Sequence, residues 1–353
     1  MPADTLLQRL FLDAQEEFLK AIDHVPNPGR GGPIGGLNPA GWTVMHLAAW
    51  QHAWIGGTAL GAPPDEGTRA WVEGSQAQPV VEHTPPYDVA HGHFERIAEQ
   101  TSRWVESWSW EGLLEPASVE APNRPWAGAT RAYLVARSIA HAFVHAGDLT
   151  VVAALMARGD LGLPGDLRHS APPTAQDDPS VPVVAALARD GFEEVRRVAV
   201  FSPTPAVVGA MDRLNPVSHT IAHVLGREDR LWNVAAQGRE EDPTLAALRE
   251  LGSAEPTPLP WGDCLDALDR VEANVGRWLA TLTPEVGATP MKWREDSSYA
   301  AQIARSAAHL FSHAGEMMAH ASLYGVADIG MPGRLQRVRE ATTPSSPGEP
   351  PRG

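Results

Sequence analysis

Cysteine is almost absent from this chain of 353 residues, since Cys264 is the only one. A single cysteine excludes an internal disulfide and a zinc site built on several thiolates. Lysine is nearly as scarce: Lys20 and Lys292 are the only two, which leaves little scope for catalysis through a lysine Schiff base. Any bound metal must therefore use nitrogen and oxygen ligands, and the 14 histidines become the first candidates.

Long apolar runs are also missing. No stretch of 18 or more apolar residues occurs, and residues 1–10 lack the basic start and apolar run of a secretory signal. These absences predict a cytoplasmic protein with no membrane partner. The formal net charge of −15 disfavours binding to a phosphate backbone, which depends on clustered cations, so no nucleic-acid partner is expected.

The chain repeats itself. Residues 136–148 (ARSIAHAFVHAGD) recur as residues 304–316 (ARSAAHLFSHAGE), with nine identities at an offset of 168. Residues 37–46 (LNPAGWTVMH) match 214–223 (LNPVSHTIAH), and DAQEE at 13–17 matches DGFEE at 190–194, both at an offset of 177. The sequence therefore predicts two copies of one module in the same order.

The domain boundaries follow from this repeat. The first copy is predicted to span residues 1–158 and the second residues 183–330. Residues 159–182 between them are rich in proline, glycine and aspartate, which indicates a linker that cannot continue a helix. Residues 331–353 end in a stretch rich in proline and glycine and are predicted to form a flexible tail.

Apolar residues recur at intervals of three and four, which is typical of amphipathic helices, and strand-like alternation is scarce. The pattern predicts four long helices in each copy. Their ranges are 5–24, 41–59, 86–111 and 128–157 in the first copy, and 183–200, 216–237, 261–282 and 297–324 in the second. The predicted fold class is all-α, with two tandem four-helix bundles.

Three histidines in each copy are spaced as metal ligands. His141 and His145 are four residues apart on one helix, so both imidazoles project from the same face. His46 on a facing helix would complete a three-nitrogen site that leaves a coordination position open for water or substrate. The second copy repeats the set with His223, His309 and His313.

A single pair of histidines four residues apart is more often a surface or core feature than a metal site. The duplication separates these alternatives: six of the 14 histidines match between the copies, and the other eight have no histidine at the equivalent position. The six that match are the two sets of three. The sequence therefore favours a metal site in each copy.

A carboxylate lies three residues after the last histidine of each set, Asp148 in the first copy and Glu316 in the second. Each could orient a ligand imidazole, act as a catalytic base or coordinate the metal, and the alternative is a solvated acidic side chain. Tryptophans near these segments are candidates either for pocket walls or for ordinary packing. They are Trp42, Trp50, Trp54, Trp71, Trp126, Trp232, Trp261 and Trp293.

A histidine on the second helix, followed by His-x-x-x-His-x-Gly on the fourth, resembles the DinB-like superfamily, which includes mycothiol-, bacillithiol- and glutathione-dependent enzymes. The resemblance implies a four-helix bundle with a divalent metal on the three histidines, zinc in the first place, with nickel, manganese or iron as alternatives. Many relatives have glutamine where this chain has Asp148 and Glu316.

The resemblance also implies an activity. A metal-dependent transferase would activate a low-molecular-weight thiol for attack on a small electrophilic metabolite. Arginine-rich composition with 32 glycines and 32 prolines is typical of a high-GC genome and favours a mycothiol-like thiol as cosubstrate. The expected partners are that thiol and the electrophile, and the protein is expected to be a monomer or a homodimer. A metal-hydroxide hydrolase or lyase, and a non-catalytic protein that sequesters a small molecule, remain alternatives.

Overall fold

The computed structural model confirms an all-α protein, with 71% of the chain helical. Strands β1 (Pro290–Met291) and β2 (Arg294–Ser298) pair antiparallel and form the only sheet of the described part. The structure describes residues 5–26, 32–75, 84–117, 126, 128–156, 158–159, 161–171, 178–204, 209, 214–252, 258–291, 294–327 and 329–343.

The first half contains four long helices at the predicted places. Helix α1 begins after Thr5, whose side chain and that of Gln8 form a reciprocal cap on the first turn. Short helices α3 and α5 were not predicted, and a π-helical turn over His52–Ala59 continues α2. The helices are α1 (Leu6–His24), α2 (Ala40–Gln51), α3 (Glu66–Ser75), α4 (Tyr87–Glu106), α5 (Trp110–Leu114) and α6 (Arg131–Leu155).

The second half repeats this order. A π-helical turn over Asp229–Ala236 continues α8, at the position equivalent to the one that follows α2. The helices are α7 (Val181–Phe201), α8 (Val217–Glu228), α9 (Pro243–Gly252), α10 (Trp261–Leu279), α11 (Pro284–Ala288), α12 (Tyr299–Leu323) and α13 (Gln336–Thr342). The four long ones again lie at the predicted places.

Each half packs its four long helices in the same cyclic order. In the first half α1 contacts α6, α6 contacts α2, α2 contacts α4, and α4 contacts α1. In the second half α7, α12, α8 and α10 make the same contacts in turn. Aromatic side chains fill both interiors, among them Phe11, Phe94 and Phe143 in the first half and Phe192 and Phe311 in the second.

Helix α6 is the one helix of the described residues that is long and apolar enough to cross a membrane. However, 72% of its most apolar window is buried inside the protein. Such burial is typical of the core helix of a soluble protein, because its apolar surface is already covered by other helices.

The two halves meet where α6 crosses α12. A β-carbon on Gly147 would lie 2.0 Å from the carbonyl oxygen of Ser312, and one on Gly315 would lie 2.0 Å from that of Val144. The two glycines occupy equivalent places in the repeat, so the contact is nearly symmetric. Backbone touches backbone at this crossing, and only glycine leaves room for it.

Two matching segments follow the crossing helices and tie the halves together. Backbone N–H groups of Gly165, His169 and Ser170 donate to the carboxylates of Glu17 and Asp13 on α1, at 2.7 to 2.9 Å. Their equivalents in the second half donate to Glu194 and Asp190 on α7. These donors are the N–H groups of Gly333, Arg337 and Val338.

Each segment also binds the opposite half. Arg305 on α12 donates to the carbonyl oxygens of Gly165 and Pro164, at 2.9 and 3.2 Å. Arg137 on α6 donates in the same way to Gly333 and Pro332, at 2.5 and 3.2 Å. An arginine of each half therefore binds the segment that follows the crossing helix of the other half.

These two segments lie within the predicted linker and the predicted tail. Within 159–182, the described residues 163–170 pack on α1 through the bonds above. Within 331–353, residues 331–343 include α13, which packs on α7 and buries Val338. Residues 331–343 of the predicted tail therefore pack against the second half, while residues 344–353 lie outside the described part.

We predict that Gly147→Ala and Gly315→Ala each destabilise the protein by roughly 1–3 kcal/mol, because the helices must separate to admit the new methyl group. Denaturant unfolding monitored by circular dichroism measures this change. Gly92→Ala is the matched control: Gly92 lies inside α4 with only the Arg96 Nη1 atom, at 3.9 Å, near a new β-carbon. This control should stabilise the protein by about 0.5–1 kcal/mol. Equal effects at all three sites would contradict the close crossing.

Candidate metal centres

The three predicted histidines of the first half come together. His46 is placed by α2, and His141 and His145 by adjacent turns of α6. The Nε2 atom of His141 lies 3.2 Å from that of His46 and 2.9 Å from that of His145. Three ring nitrogens therefore converge on one point, as the sequence predicted.

The second triad has the same composition and a more open geometry. His223 on α8 is exposed, while His309 on α12 is buried and His313 partly so. One nitrogen of each lies within 4.8 Å of the others. The ring centroids are 4.6 to 5.5 Å apart, close to the 4.5 to 5.2 Å of the first triad.

Burial favours the neutral form of two imidazoles in each triad. It lowers the pKa of His46 and of His141 well below the usual value, and the proximity of His145 adds to the effect. In the second triad burial lowers the pKa of His223 to about 4 and that of His309 to about 3. A neutral imidazole has a free lone pair at neutral pH, which is the form that binds a metal.

The carboxylates that follow the triads take one of the roles that the sequence left open. Asp148 Oδ2 accepts a hydrogen bond from Nδ1 of His145 at 2.6 Å, and Glu316 Oε2 accepts one from Nδ1 of His313 at the same distance. A proton held on Nδ1 leaves the Nε2 lone pair free to face the centre of the triad. Both carboxylates therefore orient one imidazole of their triad.

A third carboxylate, which the sequence did not single out, lies beside the second triad. Glu228 Oε1 is 3.4 Å from Nδ1 of His309. Burial alone would raise the pKa of Glu228, but the neighbouring Arg227 and His309 lower it to about 2. In the first half the equivalent residue is Gln51, whose amide donates to Thr101 instead. Two of the three histidines in the second triad thus face a carboxylate, against one in the first.

The donor set fits a small divalent cation. Tetrahedral zinc with nitrogen at about 2.0–2.1 Å requires ligand nitrogens about 3.3 Å apart. The separations of 2.9 and 3.2 Å in the first triad are close to this value. The bonded carboxylates supply the outer hydrogen bonds that metal-binding imidazoles commonly make. These features favour zinc or a similar cation over calcium or magnesium, which prefer oxygen ligands.

Tryptophans surround the first triad. The indole of Trp42 stacks on His46 with ring centroids 4.5 Å apart, and Trp71 meets the same imidazole edge-on at 5.9 Å. Trp54 lies 5.1 Å from His141, and Trp50 and Trp126 pack around Trp54. In the described part of the second half, the main tryptophan at the site is Trp232, which donates to Glu228 at 2.9 Å. Trp261 begins α10, and Trp293 lies outside the described residues.

Each triad opens into a cavity between the halves. The first cavity, of about 210 Å³, is lined by His46 and His145 and by Met318, Ala319 and Ser322 of α12. The second, of about 610 Å³, is lined by its own triad and by Thr150, Val151 and Ala154 of α6. Each half therefore supplies the ligands of one cavity and a wall of the other, which the sequence alone could not place.

The chain was compared with models of protein families, with curated proteins and with solved structures, and none of them matches. The assignment of a function therefore depends on the geometry of the two sites and on the sequence motifs.

We predict that the purified protein binds about two zinc ions per chain, one at each triad. His141→Ala and His309→Ala should each remove about one ion, because two imidazoles hold zinc weakly. Elemental analysis after dialysis measures the content. His169→Ala is the control, since His169 pairs with Glu16 at the surface, away from both triads. Unchanged metal content in both triad variants would contradict the prediction.

We predict that Asp148→Leu and Glu316→Leu lower zinc affinity at their own triads by about 10- to 100-fold, because the ligand imidazole loses the acceptor that orients it. Asp148→Asn and Glu316→Gln keep a carbonyl acceptor and should lose less. Competition with a chromophoric chelator measures the affinity of each variant. If the leucine and amide variants bound zinc equally well, the positioning role would be wrong.

Proposed function

We propose that each half is a DinB-like four-helix bundle and that the protein is a metal-dependent thiol transferase of the mycothiol type. The observation that carries the proposal is the convergence of three imidazoles, one of them hydrogen-bonded to a carboxylate, at the mouth of a cavity. The order of the motifs, with His46 on α2 and then His141, His145 and Gly147 on α6, supports the same family. The second half supports it again with equivalent residues.

The chain's own residues would hold and orient the reactants. When bound, the metal would lower the pKa of a coordinated thiol and so make a thiolate nucleophile available at neutral pH. The histidine triads leave the cavity side open for that thiol. Asp148 and Glu316 keep the proton of one ligand imidazole on Nδ1. The wall from the opposite half would limit the access of water to the electrophile.

The alternative of a metal-hydroxide hydrolase needs a base beside the metal. Asp148 and Glu316 are the candidates that the sequence offered, and each accepts its hydrogen bond from a ligand imidazole at 2.6 Å. A carboxylate in that position already accepts a hydrogen bond from the imidazole, so this oxygen is directed at the histidine ring and not at a water molecule in the cavity. This arrangement favours the transferase over the hydrolase.

The test is thiol-dependent turnover of the zinc-loaded protein. We expect 1-chloro-2,4-dinitrobenzene, used as a general electrophile, to be consumed with mycothiol present and to show no enzymatic consumption without it. Removing zinc with a chelator should abolish the rate, and adding zinc back should restore it. Glutathione and bacillithiol serve as comparison thiols. Metal-dependent turnover of an ester that is indifferent to added thiol would favour the hydrolase instead.

A further inference from the structure

Each cavity has its own triad of histidines, but the side chains around the two triads differ. At four equivalent positions the first cavity region has an apolar residue where the second has a polar or cationic one. The pairs are Trp42 and His219, Trp50 and Arg227, Val144 and Ser312, and Val326 and Arg158. All four residues of the second set line the second cavity. Of the first set, Trp42, Val144 and Val326 line the first cavity and Trp50 packs beside His46. At one further equivalent pair the change is the reverse, since Ser322 lines the first cavity and Ala154 the second.

Positive charge is concentrated in the second cavity. Arg158, Arg227 and Arg305 line it, and among the described lining residues Glu316 is the only carboxylate. The described residues that line the first cavity include no lysine or arginine. Since the protein as a whole carries a net charge of −15, this excess of cations is local and runs against the composition of the chain.

The three arginines differ in the ion pairs and hydrogen bonds that they make within the protein. Arg227 pairs with Glu228 and donates to Ser306, and Arg305 donates to backbone carbonyls. The side chain of Arg158, which is supplied by the opposite half, is exposed and has no ion pair in the part of the chain that the structure describes. Its guanidinium is therefore available to an anion in the cavity.

Two further polar groups in the same cavity have no hydrogen-bond partner among the described residues. The Ser312 hydroxyl is buried, with 3% of the residue exposed, and makes no hydrogen bond within the described structure. Nδ1 of His219 is likewise buried without a partner. An unsatisfied buried hydroxyl is costly, and a bound ligand is one way to satisfy it. Val144, at the equivalent place in the first cavity, has no such requirement.

The volumes of the two cavities also indicate that the second is the better binding site for a small molecule. Pockets that enclose small metabolites are usually about 300–1,000 Å³. The second cavity, of about 610 Å³, lies within this range, and the first, of about 210 Å³, lies below it. A ligand that must reach a metal triad and also place an anionic group on an arginine is therefore accommodated by the second cavity alone.

We propose that the second cavity binds a small carboxylate-bearing substrate, whose carboxylate is held by Arg158 and the Ser312 hydroxyl while the rest of the molecule faces the triad of His223, His309 and His313. The inference rests on the proposed function, in that this triad is taken to be the working centre for an anionic electrophile. It adds that the two halves have different tasks and that the first half provides a binding residue for the second.

The test is calorimetric titration of the zinc-loaded protein with succinate, which carries carboxylates and no thiol. We expect binding to weaken about tenfold in Arg158→Ala and further in Arg158→Ala combined with Ser312→Val. Arg239→Ala removes the same charge from an exposed site outside the cavity, and Val326→Ala changes the equivalent position in the first cavity. Both controls should bind succinate as the unchanged protein does.

Thermal unfolding of every variant establishes that the fold is kept. No succinate binding at millimolar concentration, or equal affinity in Arg158→Ala and the unchanged protein, would overturn the proposal, because coordination to zinc alone does not depend on this arginine. An equal loss in Arg239→Ala would also overturn it by showing a nonspecific charge effect.

A separate measurement distinguishes failure of the proposed function. Addition of 2-mercaptoethanol, a neutral thiol, to the cobalt(II)-substituted protein should change its near-ultraviolet absorption if a thiol reaches the metal. This signal should be the same in Arg158→Ala. Absence of the signal with intact, arginine-dependent succinate binding would reject the thiol chemistry and keep the anion site. The reverse result would reject the anion site alone.

Discussion

The contact of α6 with α12 at Gly147 and Gly315 is the constraint on which the two sites depend. Each helix carries two histidines of the triad of its own half and also forms a wall of the opposite cavity. The backbones touch at this crossing, so the distance between the helices is fixed by main-chain atoms and not by adjustable side chains. A shift of one helix would therefore change both cavities together, although each triad is built within a single half.

Much of the fold and of both triads could be predicted because their physical signals are local. A period of 3.6 residues places the eight long helices, and a spacing of four on one turn brings His141 beside His145. The same geometry predicts that Asp148 can reach His145. The third ligand, His46, required the repeat, since only the agreement of the two copies distinguishes it from the histidines that have no counterpart.

Other features escaped because their signal lies in tertiary contacts. The segments after α6 and α12 have the composition of a linker and a tail, yet carboxylates on α1 and α7 bind their backbone N–H groups. The sequence shows that Asp13 matches Asp190 and that Glu17 matches Glu194, but it does not show which groups these carboxylates bind. Composition reports whether a segment can form a helix. It does not report whether a distant carboxylate will satisfy its backbone.

The second cavity differs from the first by a pair of opposite charges on adjacent residues. Arg227 replaces Trp50 and Glu228 replaces Gln51, and the two new charges are neighbours in the sequence. Glu228 is fully buried, where an unpaired carboxylate would be strongly destabilising. Arg227, Ser306 and the Trp232 indole all donate to it, and it lies 3.4 Å from His309. Arg227 in the cavity wall and the buried Glu228 beside His309 thus depend on each other, so that a change in cavity charge in this half also changes the surroundings of a triad histidine.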